Sequence, residues 1–412
     1  MPGTRPGMTV KVFMLRPNTL ALTALLALLT AIGPLSVDLY LPSLPAIGTA
    51  LAATPAAVGL TISFYLIGFA AGQIAYGPLS DRHGRKPVMF AAMLIYCVAT
   101  LVCALAPTIE ALIAARALQA FGSSGAIVLS RAVVRDLYDG PRAGRELSLM
   151  AMIMGLAPIV APVIGSLLQA AFGWRACFVF LVLAGIAAAA AVRWLLPETL
   201  RKREHGPASG LVASVGVVAR NRGALAYIGM IAGGYGGLFA FISGSPFALQ
   251  SVYALTPFGY GLAFAIASTG YIAGSSLAAK LVTRLGLDRT IGSGVLAIAL
   301  SGVALVLATA LAPRAVAGFV APMTLFLFGL GLAMPQAFAG ALQPFPERAG
   351  AASSLIGCVQ QTVAASTGAL VTHALGETAW PLVIGIAVPG MAALAIWAGT
   401  RGVRGRREAG RG

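Results

Sequence analysis

The chain has 412 residues, of which 58% are hydrophobic and only 10% charged, with a mean hydropathy of +0.89. Soluble domains carry roughly a quarter charged residues, so composition excludes a soluble fold and indicates a polytopic membrane protein. The net charge of +16 does not mark a nucleic-acid binder, because the basic residues fall in small clusters between apolar runs rather than on one face.

The N-terminus carries Arg5, Lys11 and Arg16 before an apolar run from Leu20. With no convincing cleavage site after that run, it reads as an uncleaved first span rather than a signal peptide; Met8 and Met14 are alternative starts. A span needs about 20 apolar residues. On that measure, spans are predicted at 18–41, 56–78, 87–106, 110–133, 146–170, 175–196, 222–243, 258–281, 290–311, 315–340, 350–373 and 379–399. The fold class is therefore an all-α membrane protein of twelve transmembrane helices. Cys97, Cys103, Cys177 and Cys358 all lie in apolar runs without a metal-type spacing, and free buried thiols are expected.

Between spans two and three lies a dense basic stretch, Gly77-Pro78-Leu79-Ser80-Asp81-Arg82-His83-Gly84-Arg85-Lys86-Pro87. It reads as a tight loop in which Gly77 and Gly84 allow close approach and an unusual backbone angle. Further basic residues follow spans four (Arg135, Arg142, Arg145), six (Arg201, Lys202, Arg203, Arg220, Arg222) and eight (Arg284, Arg289), and fill the tail from Arg401 to Arg411. The opposite loops carry little beyond Arg175 and Arg314. This asymmetry predicts both termini in the cytoplasm.

The segment from Leu200 to Val218 breaks the apolar pattern and contains Gly206-Pro207. It divides the chain into an N-terminal half (1–200), a linker (201–221) and a C-terminal half (222–412) with a basic tail. Arg82-x-Gly84 is echoed by Arg284-x-Gly286, and Phe172-Gly173-Trp174 by Thr378-Ala379-Trp380, at an offset near 205 positions. Two pseudo-symmetric six-helix bundles follow. Such halves, with a site between them, are a transporter architecture.

Charges inside a span are costly and point to function or pairing. Asp38 sits near the outer end of span one and Arg116 about two turns into span four. At about 1.5 Å per residue both fall in the outer third of the bilayer, where they could face one cavity. Asp38 reads either as a helix cap in the headgroup region or as a proton-carrying carboxylate. Arg116 reads either as a buried or snorkelling residue or as a fixed charge that tunes a carboxylate. Span five carries Gly155, Pro158, Pro162, Gly165 and Ser166: a bend with small residues for close packing. Candidates for an apolar pocket are Tyr40, Met154, Tyr235 and Phe239, with the amides Gln119, Gln360 and Gln361, since uncharged amides in a span seek a partner. Tyr65, Phe264 and Phe338 are further aromatics of this kind. His83, His205 and His373 cannot share a metal site, and no catalytic constellation converges, so an enzyme is not expected.

These motifs resemble the major facilitator superfamily over essentially the whole chain, and within it the drug:proton antiporters. The residues Asp38-Leu39-Tyr40-Leu41-Pro42-Ser43-Leu44-Pro45, the Gly77–Pro87 stretch, Arg116-Ala117-Leu118-Gln119, Val134-Arg135-Asp136-Leu137-Tyr138, the span-five motif, Gly244-Ser245-Pro246-Phe247 and Gly376 to Pro381 are similar to those of the bicyclomycin/chloramphenicol-resistance (Bcr/CflA-type) multidrug exporters. The resemblance implies alternating access in a multi-pass protein of the bacterial inner membrane. Protons run inward and a small lipophilic drug, amphenicol- or bicyclomycin-like, goes out. It implies no cofactor beyond the proton gradient, a monomer, and no nucleic-acid partner. Asp38 and Arg116 would be the proton-coupling residues. Gly77, Asp81, Arg82, Gly84, Arg85, Arg135 and Asp136 would form a conformational lock that closes the inner side between spans two and eleven. The sequence departs from the family pattern at Ala161-Pro162, at Gly165-Ser166 and at Gln119-Ala120, and it offers no second acid deep in a span. The alternative is a proton-coupled facilitator of a physiological metabolite.

Overall fold

The computed structural model describes residues 19–138, 140–200, 211–345, 348–376 and 378–404. Among them are twelve helices long and apolar enough to cross a membrane. In the first half these are α1 (Leu20–Asp38, continued by a short 3-10 turn and α2, Leu44–Ala50), α3 (Pro55–His83), α4 (Arg85–Leu105), α5 (Ile109–Leu137), α6 (Gly140–Phe172) and α7 (Arg175–Leu195). After the short α8 (Leu211–Ala219) come α9 (Arg222–Phe247), α10 (Pro257–Leu285), α11 (Leu287–Leu311), α12 (Val316–Leu342), α13 (Ala349–Ala374), α14 (Trp380–Gly399) and the terminal turn α15 (Arg401–Arg404). Every predicted span corresponds to one of these helices. The region read as the linker is only partly described: 201–210 lie outside the described residues, and Leu211–Ala219 is helical. Residues 1–18 with their alternative starts, and His205, also lie outside them.

Local sequence explains the helix ends. The Thr54 side chain accepts from the Ala57 N–H at the start of α3, with Pro55 in the first turn. Thr256 and Pro257 repeat the device at α10. A hydroxyl cap satisfies an orphan amide, and proline there forfeits a bond the helix would not make. Helices α3, α5, α6 and α10 outrun their predicted spans by several residues at the ends on the side of the termini. The stretch from Gly77, expected as a loop, is therefore mostly helix: α3 runs on to His83, and α4 begins at Arg85. Once a helix has formed, its backbone bonds are satisfied internally, so the helix projects beyond the apolar zone at little cost. Only Gly84 (φ +98°) breaks the rod, and Gly286 (φ +80°) does the same between α10 and α11. Gly77 has an ordinary helical φ and open space where a Cβ would sit, so it plays neither role expected of it.

Within the halves, α5 packs against α3 and α4, α12 against α10 and α11, and α9 against α13 and α14. Two helix pairs make most of the contact between the halves, α3 with α13 and α6 with α10. These are spans two with eleven and five with eight, which the pseudo-symmetry exchanges. The outward surface is apolar, with Ile67, Val98, Leu183 and Val388 each more than half exposed, as a lipid-facing belt requires. All four cysteines are free; Cys103 and Cys177 are buried as expected, whereas Cys97 is half-buried and Cys358 exposed.

Candidate functional site

An even number of spans puts the start of α1 and the end of α14 on one face, called here the terminal face. The halves touch most closely toward the opposite face. The Ser63 hydroxyl of α3 donates to the Ala365 carbonyl of α13 at 3.1 Å. The Gln250 amide donates to the Pro42 carbonyl at 3.1 Å. Gly59 leaves no room for a Cβ against Thr372, and a Cβ on Gly261 would lie 2.8 Å from the Pro162 carbonyl oxygen. Among the described residues no side-chain hydrogen bond or ion pair joins the halves toward the terminal face. The described bonds between the halves thus gather on the opposite face.

Asp38 is the last residue of α1 and is buried. No cation lies beside it among the described residues. The Tyr260 hydroxyl of α10, in the other half, is within its electrostatic reach. Gly165 of α6 packs directly on the Leu39 carbonyl oxygen, which holds this end of α1 against the seam. Asp38 is thus a carboxylate at the junction of α1, α6 and α10.

Arg116 is placed differently. It is fully buried inside the N-terminal half. Its Nη1 donates to the Ser36 carbonyl at 2.9 Å and to the Gln119 side-chain oxygen. Its guanidinium lies 4.3 Å from the ring centres of both Tyr40 and Tyr65. Gln119 in turn donates to Thr100 at 2.9 Å, Ser36 and Tyr96 share a bond of 2.8 Å, Tyr65 bonds the Gly33 carbonyl and Ser123, and Tyr40 bonds Thr61 at 3.0 Å. The Nε and Nη2 of Arg116 have no partner. Equal depth in the bilayer does not bring Asp38 and Arg116 together, because they project from different sides of their helices. Tyr40, Tyr65 and Gln119 belong to this closed cage rather than to a pocket between the halves.

Of the other pocket candidates, Tyr235 and Phe239 stack with centroids 6.4 Å apart, and the Gln360 side chain is within hydrogen-bonding reach of Tyr235. Met154 and Gln361 are half-buried. Phe264 is stacked inside the C-terminal half, 4.9 Å from Phe241, and Phe338 is half-buried.

The basic corner on the terminal face is built within one half. Arg85 bonds Asp81 at 2.5 Å and Asp136 at 2.8 Å. Glu198, after α7, accepts from the backbone N–H of Arg85 and Lys86 at 3.0 and 3.1 Å. Arg82 and Arg135 are exposed. None of these residues bonds to α13 among the described residues, so the expected clasp between spans two and eleven is not seen among them. In the span-five motif, helix α6 continues through Pro158 and Pro162. Gly165 makes its expected close contact; Gly155 faces open space.

Three residues escape a reading by span and loop. Glu198 caps α4 from a distant position. Glu146, expected at a loop edge, is buried and accepts from Thr23 of α1 at 2.6 Å, because α6 starts earlier than its apolar run. Arg131 is exposed on α5, one turn before Arg135; that spacing was its only signal.

A family model described as Major Facilitator Superfamily matches residues 26–369. The chain is 33% identical to a chloramphenicol resistance protein of Pseudomonas aeruginosa, covering 92% of this chain and 90% of that one. It is 32% identical to multidrug resistance protein D of Escherichia coli (84% and 87%) and 31% identical to a bicyclomycin resistance protein homolog of Haemophilus influenzae (87% and 90%). A solved bacterial homologue of the lysosomal transporter Spinster, in an inward-facing and unoccupied conformation, superposes with a TM-score of 0.68 over 94% of each chain at 16% identity, which speaks for the fold alone.

Proposed function

The chain belongs to the major facilitator superfamily, and from that premise we infer that it exports lipophilic drugs of the amphenicol or bicyclomycin kind in exchange for protons. The relatives' names supply the class of cargo. The observation that carries the coupling is Asp38. A carboxylate buried at the seam, with no cation beside it, favours its neutral form when shut away from water and its charged form when water reaches it. The rocking of the halves about that seam then loads and releases a proton. Arg116 supplies a fixed positive field from inside the N-terminal half rather than a direct partner.

The basic clusters support a cytoplasmic terminal face by the positive-inside tendency. With its described cross-half bonds on the far face, this is then the state that takes drug from the cytoplasm, in a protein of the inner membrane with both termini inside. The corner formed by Asp81, Arg85 and Asp136 is the fixed half of the lock, and closure brings α13 against it. The proton gradient is the energy source, without a bound cofactor or a catalytic step, and the monomer is the working unit.

The test uses energised inverted vesicles containing a pH-sensitive dye. Chloramphenicol is expected to release protons from the lumen, and Asp38→Asn to abolish that release while drug binding persists. Drug-driven proton release that survives in Asp38→Asn overturns the assignment of the carrier. No response to chloramphenicol or bicyclomycin by correctly inserted protein overturns the export reading.

A further inference from the structure

Arg131 and Arg135 are not used by the coupling scheme. They lie one turn apart on α5, both are exposed, and neither makes a hydrogen bond or ion pair with any described residue. Like charges at this spacing repel on a helix. A topological anchor explains Arg135, two residues from the helix end at Leu137. It does not explain Arg131, whose Cα is about 9 Å inside that end at 1.5 Å per residue. Nor does Arg131 turn back toward the headgroups. Its guanidinium lies within electrostatic reach of the Tyr235 phenol on α9, in the other half. A side chain that is exposed yet beside the opposite half is exposed to the space between them.

That space has a definite chemistry. Tyr235 and Phe239 offer a stacked apolar wall. Gln360 from α13 and Tyr271 from α10 flank Tyr235. No described carboxylate neutralises the arginine. Asp81 and Asp136 are paired with Arg85, and Asp288 with Arg404. Glu198 caps α4, Glu146 is bonded to Thr23, and Asp38 and Glu110 lie toward the sealed face.

We propose that the cleft takes its cargo by an anionic or strongly accepting group (carboxylate, sulfonate, phenolate or nitro) set between Arg131, Tyr235 and Gln360, with the apolar body against Phe239, and that it rejects lipophilic cations. The proposal rests on the export reading and specifies its substrate class. A guanidinium and a phenol supply donors in a fork that an accepting group can bridge. A cation in the same place meets an uncompensated like charge beside an apolar wall, where screening is weaker than in bulk water.

The experiment compares two xanthene dyes of similar size and opposite charge, fluorescein and rhodamine 123, binding to the purified full chain in nanodiscs by fluorescence anisotropy. Wild type is expected to bind fluorescein more tightly. Arg131→Gln is expected to weaken fluorescein by about tenfold, the range for a charged hydrogen bond, and to leave rhodamine 123 unchanged or tighter. Arg131→Lys retains charge and is expected to keep most of the preference. Unchanged melting curves exclude a folding defect. Rhodamine 123 binding as tightly as fluorescein, failure of fluorescein to bind, or equal weakening of both dyes by Arg131→Gln overturns the proposal. Failure of the export reading is registered separately, by the chloramphenicol response in vesicles, which the binding comparison does not use.

Discussion

The two halves share a scaffold but fill it with opposite material. At the depth of Arg116 the N-terminal half holds a cage of hydroxyls, an amide and a guanidinium. In the C-terminal half, α12 presents Phe319 and Met323 at the corresponding depth, both buried. The core there is a stack of aromatic rings, with Phe241 4.9 Å from Phe264 and 6.2 Å from Phe319. The corners on the terminal face are also mirrored with charges exchanged. After α7 an acid, Glu198, reaches the start of α4; after α14 a base, Arg404, reaches Asp288 at the start of α11 at 2.8 Å. The repeat preserved the backbone geometry, the positive-φ glycine included, and left the chemistry free to diverge. Charge handling concentrated in one half, and the other became an apolar body to move against it.

The sharpest way to break this comparison is to make the first half resemble the second. Arg116→Met replaces a buried charge lacking two of its partners with an apolar side chain of similar length. Relief of the buried charge's desolvation cost offsets the loss of the donor to the Ser36 carbonyl and the Gln119 oxygen. The thermal midpoint is expected to move by less than about 3 °C, while drug-driven proton release is lost. A large drop in midpoint would mean that the cage is structural. Next in size are the corner glycines. Alanine at either must adopt a conformation that costs about 1–3 kcal/mol. At Gly84 the new Cβ also meets Glu198 Oε2 at 2.7 Å, whereas at Gly286 it meets nothing within 4 Å. Gly84→Ala is expected to lower stability in detergent more than Gly286→Ala, and equal losses would show that the Glu198 cap contributes nothing. Smallest is the removal of single hydroxyls. Tyr65→Phe loses bonds to Gly33 and Ser123 at 3.0 and 2.9 Å and is expected to cost about 1 kcal/mol. Tyr260→Phe loses one contact to Ser245 at 3.4 Å, long for a hydroxyl pair, and is expected to cost a few tenths of that. Comparable losses from the two would erase the contrast between a polar and an apolar core.

The helices were legible in the sequence because lipid demands long apolar runs, and α1 to α14 follow those runs within a few residues. The chemistry was legible only along one coordinate. Counting residues gives depth, and depth places Asp38 and Arg116 at one level. It does not give the direction around a helix, because these helices are apolar on nearly all sides and carry no polar stripe to orient them. Asp38 therefore proved to face α10, while Arg116 faces the core of its own half. The same limit hid Glu146 and Arg131. Both stand near a span's end, where charges ordinarily mean water, and only the packing of α1 against α6 and the reach of Arg131 to Tyr235 distinguish them from anchors. Asp81, Arg85 and Asp136 were grouped by what the family resemblance implies, since a basic cluster alone reads equally as an anchor; they do bond to one another, but within one half.

Among the described residues, no ion pair joins the halves in the seal on the face away from the termini. The seal's described cross-half hydrogen bonds, Ser63 to Ala365 and Gln250 to Pro42, join neutral groups, and glycines pack there against Thr372 and Pro162. Breaking it strands no charge in hydrocarbon and draws in no counterion. The rate at which this gate swings should accordingly be indifferent to ionic strength, so that acidity, acting on the acid at the seam, and not salt is expected to set its pace.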